Sequence, residues 1–259
     1  LFGGGKVSVE DIVTNSRFAT WEMDPQIVRD HVAEVAPRSY PELVAATFAA
    51  YARWRNKERW GDKTPGYATY MPYLQRMFPN ALFVHMIRDG REVAASLPEH
   101  KWGPRTAVGG AYWWRTKVRK ARRDGARLKP GTYLEVRLDE LIERPEVTVS
   151  LVCEFLAEPY EAEMLDYPDR YKGKEMDRGT RHLMKPPTAG LREWRRGLTK
   201  LDQRAVEAVC RPLLRELGYD AAPFDPVAGA YARLQRIREL IVSAPTAVSM
   251  RLRPSTRSY

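Results

Sequence analysis

Cysteine is nearly absent: Cys153 and Cys210 are the only two in 259 residues, and they stand far apart. A disulfide framework is excluded by that count, and so is a thiolate metal cage, which needs paired cysteines at short spacing. Both fall in apolar helical patterns, so buried, reduced thiols suited to a reducing compartment are expected. The four histidines are scattered, which leaves no zinc-type spacing, and no metal is expected. No uncharged apolar run approaches the ~18 residues of a membrane span. The chain starts at Leu1 rather than Met and has no signal-peptide pattern. A trimmed or fragmentary N-terminus and a cytoplasmic location are therefore the expectation.

What is present is length enough for one large α/β domain, taken as residues 1–244, with a flexible basic tail over 245–259. The net charge of +10 is uneven: residues 101–129 carry +9 and residues 233–259 carry +5, which leaves −4 for the rest. Localised positive charge attracts anionic ligands, acidic polymers or membrane surfaces; a solvated helix face with a basic tail is the plainer account.

Hydrophobic periodicity predicts a largely helical first half. Ser8 to Asp11 fits a capping box, and Pro41 opens a helix towards Lys57 with Leu43, Ala46, Ala50 and Trp54 on one face. Tyr67 to Met77 reads as a further amphipathic helix. The cleanest period lies at 105–124, where Ala107, Ala111, Trp114, Val118 and Ala121 form a seam with Arg115, Arg119, Arg122 and Arg123 mostly outside it. Strands are predicted at 82–87 and 132–138, and helices at 147–156, from the Thr199–Asp202 capping box to about Gly218, and at 226–242. The Pro-, Gly- and charge-rich stretch 166–190 reads as a long functional loop. Strands separated by helices predict a parallel sheet covered on both faces, with ligands at the carboxyl ends of the strands.

One such end is the most informative stretch. The apolar run Leu82 to Ile87 meets Arg88, a turn at Asp89-Gly90, and a helix that carries Arg91 at its start and Ser96 near its end. Backbone N–H groups at a helix start, together with a guanidinium fork, are a means of holding a phosphate. Arg88 has a plainer reading as an ion-pair partner of Asp89 or Glu92, and His85 one as a core histidine.

Around that stretch stand Trp60-Gly61-Asp62-Lys63-Thr64-Pro65, Phe78-Pro79-Asn80-Ala81, Glu135 to Leu141 with Pro145, and Gly190-Leu191-Arg192-Glu193-Trp194-Arg195. Taken in order with Ile87 to Ser96, they resemble the sulfotransferases that use 3′-phosphoadenosine 5′-phosphosulfate, over about residues 60–218. The resemblance implies a three-layer α/β fold like that of the P-loop nucleotide kinases, here helix-rich, with a parallel sheet flanked by helices. It implies that Arg88 and Ser96 hold the 3′-phosphate and that Trp194 and Arg195 close over the same end. It places Lys63 near the reacting centre, where a cation stabilises charge as the bond breaks. The donor is the only co-substrate implied, without a metal. The acceptor is a hydroxyl of a sugar, lipid or small molecule, with 166–190 as its lid.

No stretch matches the family's N-terminal strand and 5′-phosphosulfate loop. Gly3-Gly4-Gly5-Lys6 has no apolar strand before it and no Ser or Thr directly after the lysine. The expectation is a truncated N-terminus with the loop upstream of Leu1; the alternative is a chain without it. Two other classes stay open: a non-catalytic module binding anions or nucleic acid through the basic helix, and a nucleotide kinase. Aromatic interleaving on that helix is limited to Tyr112 and Trp113, so nucleic acid is not the expected partner.

Overall fold

The computed structural model of the protein describes residues 7–100, 102–166 and 194–252. The glycine run at 3–6, residues 167–190 of the expected loop and residues 253–259 of the expected tail lie outside these. The chain divides into two compact units, Leu1–Tyr67 with Tyr73–Pro79, and Ala68–Pro72 with Asn80–Tyr259.

The first unit is helical. Ser8 caps α1 (Val9–Val13) in a reciprocal box with Asp11. Asp24 caps α2 (Pro25–Val35) and Ser39 caps α3 (Tyr40–Trp54), each with a proline in the first turn. Leu43, Ala46 and Ala50 are buried along α3, and Ala50 joins Val13, Phe18, Met23 and Val28 in the core of this unit. Trp21 extends that core, with ring centroids 5.4, 5.2 and 4.9 Å from those of Phe18, Phe48 and Tyr51. The helix expected over Tyr67–Met77 is split into a 3-10 turn (Pro65–Thr69) and α4 (Met71–Met77). Pro72 explains the break: it has no N–H to donate back to residue 68, and its ring crowds that carbonyl.

The second unit holds the sheet. Strand β1 (Phe83–Ile87) pairs in parallel with β2 (Tyr133–Arg137), in register from Phe83 opposite Tyr133 to Ile87 opposite Arg137. Between them run α5 (Gly90–Ser96) and α6 (Ala107–Gly125). After β2 come α7 (Leu138–Glu143) and α8 (Pro145–Leu156). Two long helices follow, α9 (Lys200–Glu216) and α10 (Pro226–Leu252); the last runs past its expected end at residue 242. Among the described residues no helix is long and apolar enough to cross a membrane.

The main core forms where α6 meets α5 and α9. The seam Ala107, Ala111, Trp114 and Val118 packs there against Ile87, Ala94, Val206, Cys210, Leu213 and Leu214. Farther along α6, Ala121 meets Met71 and Leu128, with Phe83 and Tyr133 against them. The sheet face that carries Phe83 and Ile87 is thus covered. The strand read as buried throughout has a second face that is not: Val84 and Met86 are 39% and 45% exposed. Side chains alternate across a strand, so a continuous apolar run leaves half of itself in solvent when only one face is packed.

His85 points to the covered face. Its Nδ1 lies 2.7 Å from the Tyr133 hydroxyl, which donates to Glu135 at 2.8 Å; Arg122 closes the chain on Glu135 at 3.0 Å. With the phenol proton committed to Glu135, His85 Nδ1–H is the donor. Burial pulls its pKa below the usual 6.5, Glu135 opposes this, and Arg122 adds to it. Burial and the Glu135 carboxylate also push the Tyr133 phenol up.

Gly90 and His85 offer two tests of this packing. A β-carbon at Gly90 would enter the Trp114 ring, which is 2% exposed, so Gly90→Ala should lower stability by about 1–3 kcal/mol in thermal or denaturant unfolding. Folded His85 takes a proton less readily than unfolded His85, so its contribution is complete above the unfolded pKa of about 6.5 and declines as pH falls below it. The unfolding midpoint should therefore drop between about pH 7.5 and 5.5, and His85→Gln should flatten that slope.

Candidate active site

Lys63 belongs to the first unit. Trp60 stacks on Phe48 with centroids 4.8 Å apart and meets Phe78 edge-on at 5.9 Å, so two of the quoted motifs are packed together through one indole. Thr64 Oγ1 donates to Asp62 at 3.0 Å, the Tyr67 amide donates to the Thr64 carbonyl at 2.9 Å, and the Tyr67 hydroxyl also bonds Asp62. Burial first, then the Asp62 bond, raises the Tyr67 pKa. These bonds occupy the Asp62 carboxylate and leave Lys63 exposed at the turn, without an ion pair among the described residues.

The other four predicted residues belong to the second unit. Arg88 follows β1 at the carboxyl edge of the sheet, and the Trp114 indole N–H donates to its carbonyl at 3.2 Å. Asp89 caps α5, its carboxylate accepting from the Arg91 amide at 2.8 Å. The Arg91 side chain bonds Asp89 at 2.6 Å, Glu207 of α9 at 3.0 Å and the Asp220 carbonyl at 2.9 Å. Burial disfavours its charge, but the Asp89 and Glu207 carboxylates outweigh that and raise its pKa. Arg91 is thereby spent on structure. Arg88, with 33% of its side chain exposed, remains the accessible guanidinium of the turn. Its Nε and Nη2 both contact Glu92 Oε2, at 2.7 and 2.5 Å, while Nη1 has no partner among the described residues.

Ser96 closes α5, and its hydroxyl donates to the Val93 carbonyl at 3.0 Å. Gly110 lets α6 approach α5: a β-carbon there would lie 2.7 Å from the Ala94 carbonyl oxygen. Trp194 packs against the main core and meets the start of α5 through Arg91, whose guanidinium carbon lies 5.7 Å from its ring. Arg195 stacks on the same ring at 4.4 Å. Gln203 of α9 holds this turn by donating to the Arg195 and Leu198 carbonyls at 2.9 and 3.1 Å. Residues 167–193 lie outside the description, so the Gly190–Arg192 part of that motif is not placed.

The phosphate chemistry fits these groups: an unused guanidinium nitrogen just before α5 and a rotatable hydroxyl at its end. Sequence reasoning missed Glu207 and the Asp220 carbonyl. They lie 116 and 129 residues from Arg91, and no local spacing announces them. The basic helix differs from a free cationic face. Arg122 binds Glu135 and Glu216, Arg119 reaches Glu216 at 3.6 Å, Lys120 and Arg123 pair with Asp124, and Arg115 donates to the Val209 carbonyl.

Comparison with known proteins bears on the family and the fold. Two nematode proteins, each named "Putative protein-tyrosine sulfotransferase", are similar to the chain. The Caenorhabditis elegans protein is 27% identical over 182 residues, 66% of this chain and 69% of its own length. The Caenorhabditis briggsae protein is 28% identical over 176 residues, 64% of this chain and 62% of its own length. The chain thus spans about two thirds of these relatives. Two solved structures share the fold at 17% identity. They are a sulfotransferase domain from the curacin biosynthetic pathway (TM-score 0.53, covering 79% of this chain and 78% of that one) and one from the Synechococcus PCC 7002 olefin synthase (TM-score 0.51, 82% and 80%). The helix-rich α/β class expected from the motifs is therefore the fold observed. The family model described as "Sulfotransferase family" matches residues 8–162, more than half the chain and a span that includes Lys63, Arg88 and Ser96. The chain belongs to the sulfotransferase family.

Proposed function

We propose that this sulfotransferase takes its sulfuryl group from 3′-phosphoadenosine 5′-phosphosulfate, with Arg88 and Ser96 on the 3′-phosphate and Trp194 and Arg195 over the same end of the nucleotide. The observation that carries this reading is the fate of the two arginines at the end of β1. Arg91 is consumed by buried carboxylates, whereas Arg88 stands a third exposed at the edge where ligands of parallel sheets bind. The internal pairing of α6 counts against an anion-binding module built on that helix.

Sulfuryl transfer follows the physical logic of phosphoryl transfer: an in-line passage between two oxygens, governed by positioning and charge stabilisation. The acceptor oxygen forms the new S–O bond as the bond to the 5′-phosphate breaks, and the acceptor proton leaves to a base. Lys63, exposed and without an ion pair among the described residues, is the cation proposed to meet the charge that develops on the bridging oxygen. The names of the two nematode relatives favour a polypeptide tyrosine hydroxyl as acceptor over a sugar or lipid hydroxyl.

Titration with adenosine 3′,5′-bisphosphate tests the donor site. Arg88→Ala should weaken binding by roughly ten- to a hundredfold, the range for a charge-assisted hydrogen bond. Equal binding by the variant would refute the site, and tighter binding of a long polyanion than of the bisphosphate would favour the module instead. Lys63→Ala should lower turnover of a tyrosine peptide by about a hundredfold with little change in bisphosphate affinity.

A further inference from the structure

Glu92 and Ser96 lie four residues apart on one stripe of α5, and Arg88 precedes the Asp89 cap of that helix. Glu92 lies between Arg88 and Ser96 in the sequence, and its carboxylate already grips Arg88 through both Nε and Nη2. The side-on fork, the strongest face of a guanidinium, is therefore filled by the protein itself. Ser96 is satisfied in the same way, its hydroxyl proton given to the Val93 carbonyl. An anion taking the Arg88 Nε and Nη2 must displace Glu92, a carboxylate of the same sign.

We infer that Glu92 is a built-in counter-anion for Arg88, which the 3′-phosphate displaces on binding and which retakes the fork when the nucleotide leaves. The inference rests on the phosphate role proposed for Arg88. The contact holds Arg88 in place without a ligand, while Arg91 is engaged by Asp89 and Glu207. The same contact weakens nucleotide binding, because only the fraction of Arg88 released from Glu92 is competent. Glu92 is 21% exposed, so it has solvent to swing into once displaced. No proton transfer or covalent step is involved.

The test compares the wild-type protein with Glu92→Gln and Glu92→Ala, using adenosine 3′,5′-bisphosphate and adenosine 5′-phosphate as probes. Both variants should bind the bisphosphate more tightly, by about five- to tenfold, through slower dissociation. Neither should alter affinity for adenosine 5′-phosphate, which lacks the 3′ group. Unchanged or weaker bisphosphate binding would overturn the inference and make Glu92 a positioning residue for Arg88. An equal gain for both probes would overturn it too, since the effect would not belong to the 3′-phosphate. Loss of folding in both variants would mark Glu92 as a structural anchor and would likewise overturn the inference. If wild type and variants all bind neither probe, or if Arg88→Ala binds as well as wild type, the donor-site reading itself falls.

Discussion

The buried charge cluster of Asp89, Arg91 and Glu207 is the constraint on which the rest of the second unit depends. The three side chains are 11%, 14% and 9% exposed. Charges so far from water are stable only if each is matched, and here one guanidinium serves two carboxylates and a backbone carbonyl. Removing one partner of such a group typically costs about 3–5 kcal/mol, because the charge left behind has no solvent to turn to. Glu207 is further committed by accepting from the Ala222 amide at 3.0 Å. The cluster thus joins the turn after β1, helix α9 and the segment that follows α9 in one electrostatic unit.

Its local effect is to fix the direction of the chain after β1. Asp89 both caps α5 and neutralises Arg91, so the turn cannot relax without exposing a carboxylate or an orphan amide. Trp114 anchors the Arg88 carbonyl from below, and Gly90 leaves room for that indole. The backbone at Arg88 is held from two sides while its side chain stays partly in solvent. Two arginines three residues apart therefore have different fates: one neutralised and buried, the other fixed at its base and paired at its part-exposed tip with Glu92 alone among the described residues. That combination suits a ligand-holding residue, because order is supplied before the ligand arrives.

Much of this was legible in the sequence because local signals and tertiary packing agree. The capping box at Ser8, the Ala107–Ala121 seam and the Thr199 cap each appear where the periodicity puts them. The failures have physical reasons. The helix at Tyr67–Met77 breaks at Pro72, a residue that tolerates a first turn but not an interior. The strand at 82–87 is apolar on both faces although only one is covered, so composition overstated its burial. On α6, Arg119 and Arg123 stay exposed as a solvated face, but the pairing of Arg122 was not legible because Glu135 and Glu216 lie on other elements. At the candidate site, the Arg88–Ser96 spacing was visible in the sequence, whereas the role of Arg91 was not.

The net positive charge can now be divided by what each cation touches. On α6, Arg119, Lys120, Arg122 and Arg123 all meet carboxylates, and Arg115 meets a carbonyl. Arg119 and Arg122 hold α6 to β2 and α9 through Glu135 and Glu216, whereas Lys120 and Arg123 share Asp124 of α6 itself. Recognition of one particular anion needs, beyond the general field, a cation whose pairing is incomplete or reversible. Arg88 is such a cation: its side-chain partner among the described residues is the partly exposed Glu92 of α5, and one nitrogen is unused. A part-exposed pair of this kind exchanges with a phosphate more readily than the more deeply buried Arg91 cluster. The difference in burial between two neighbouring ion pairs is what separates the structural arginine from the functional one.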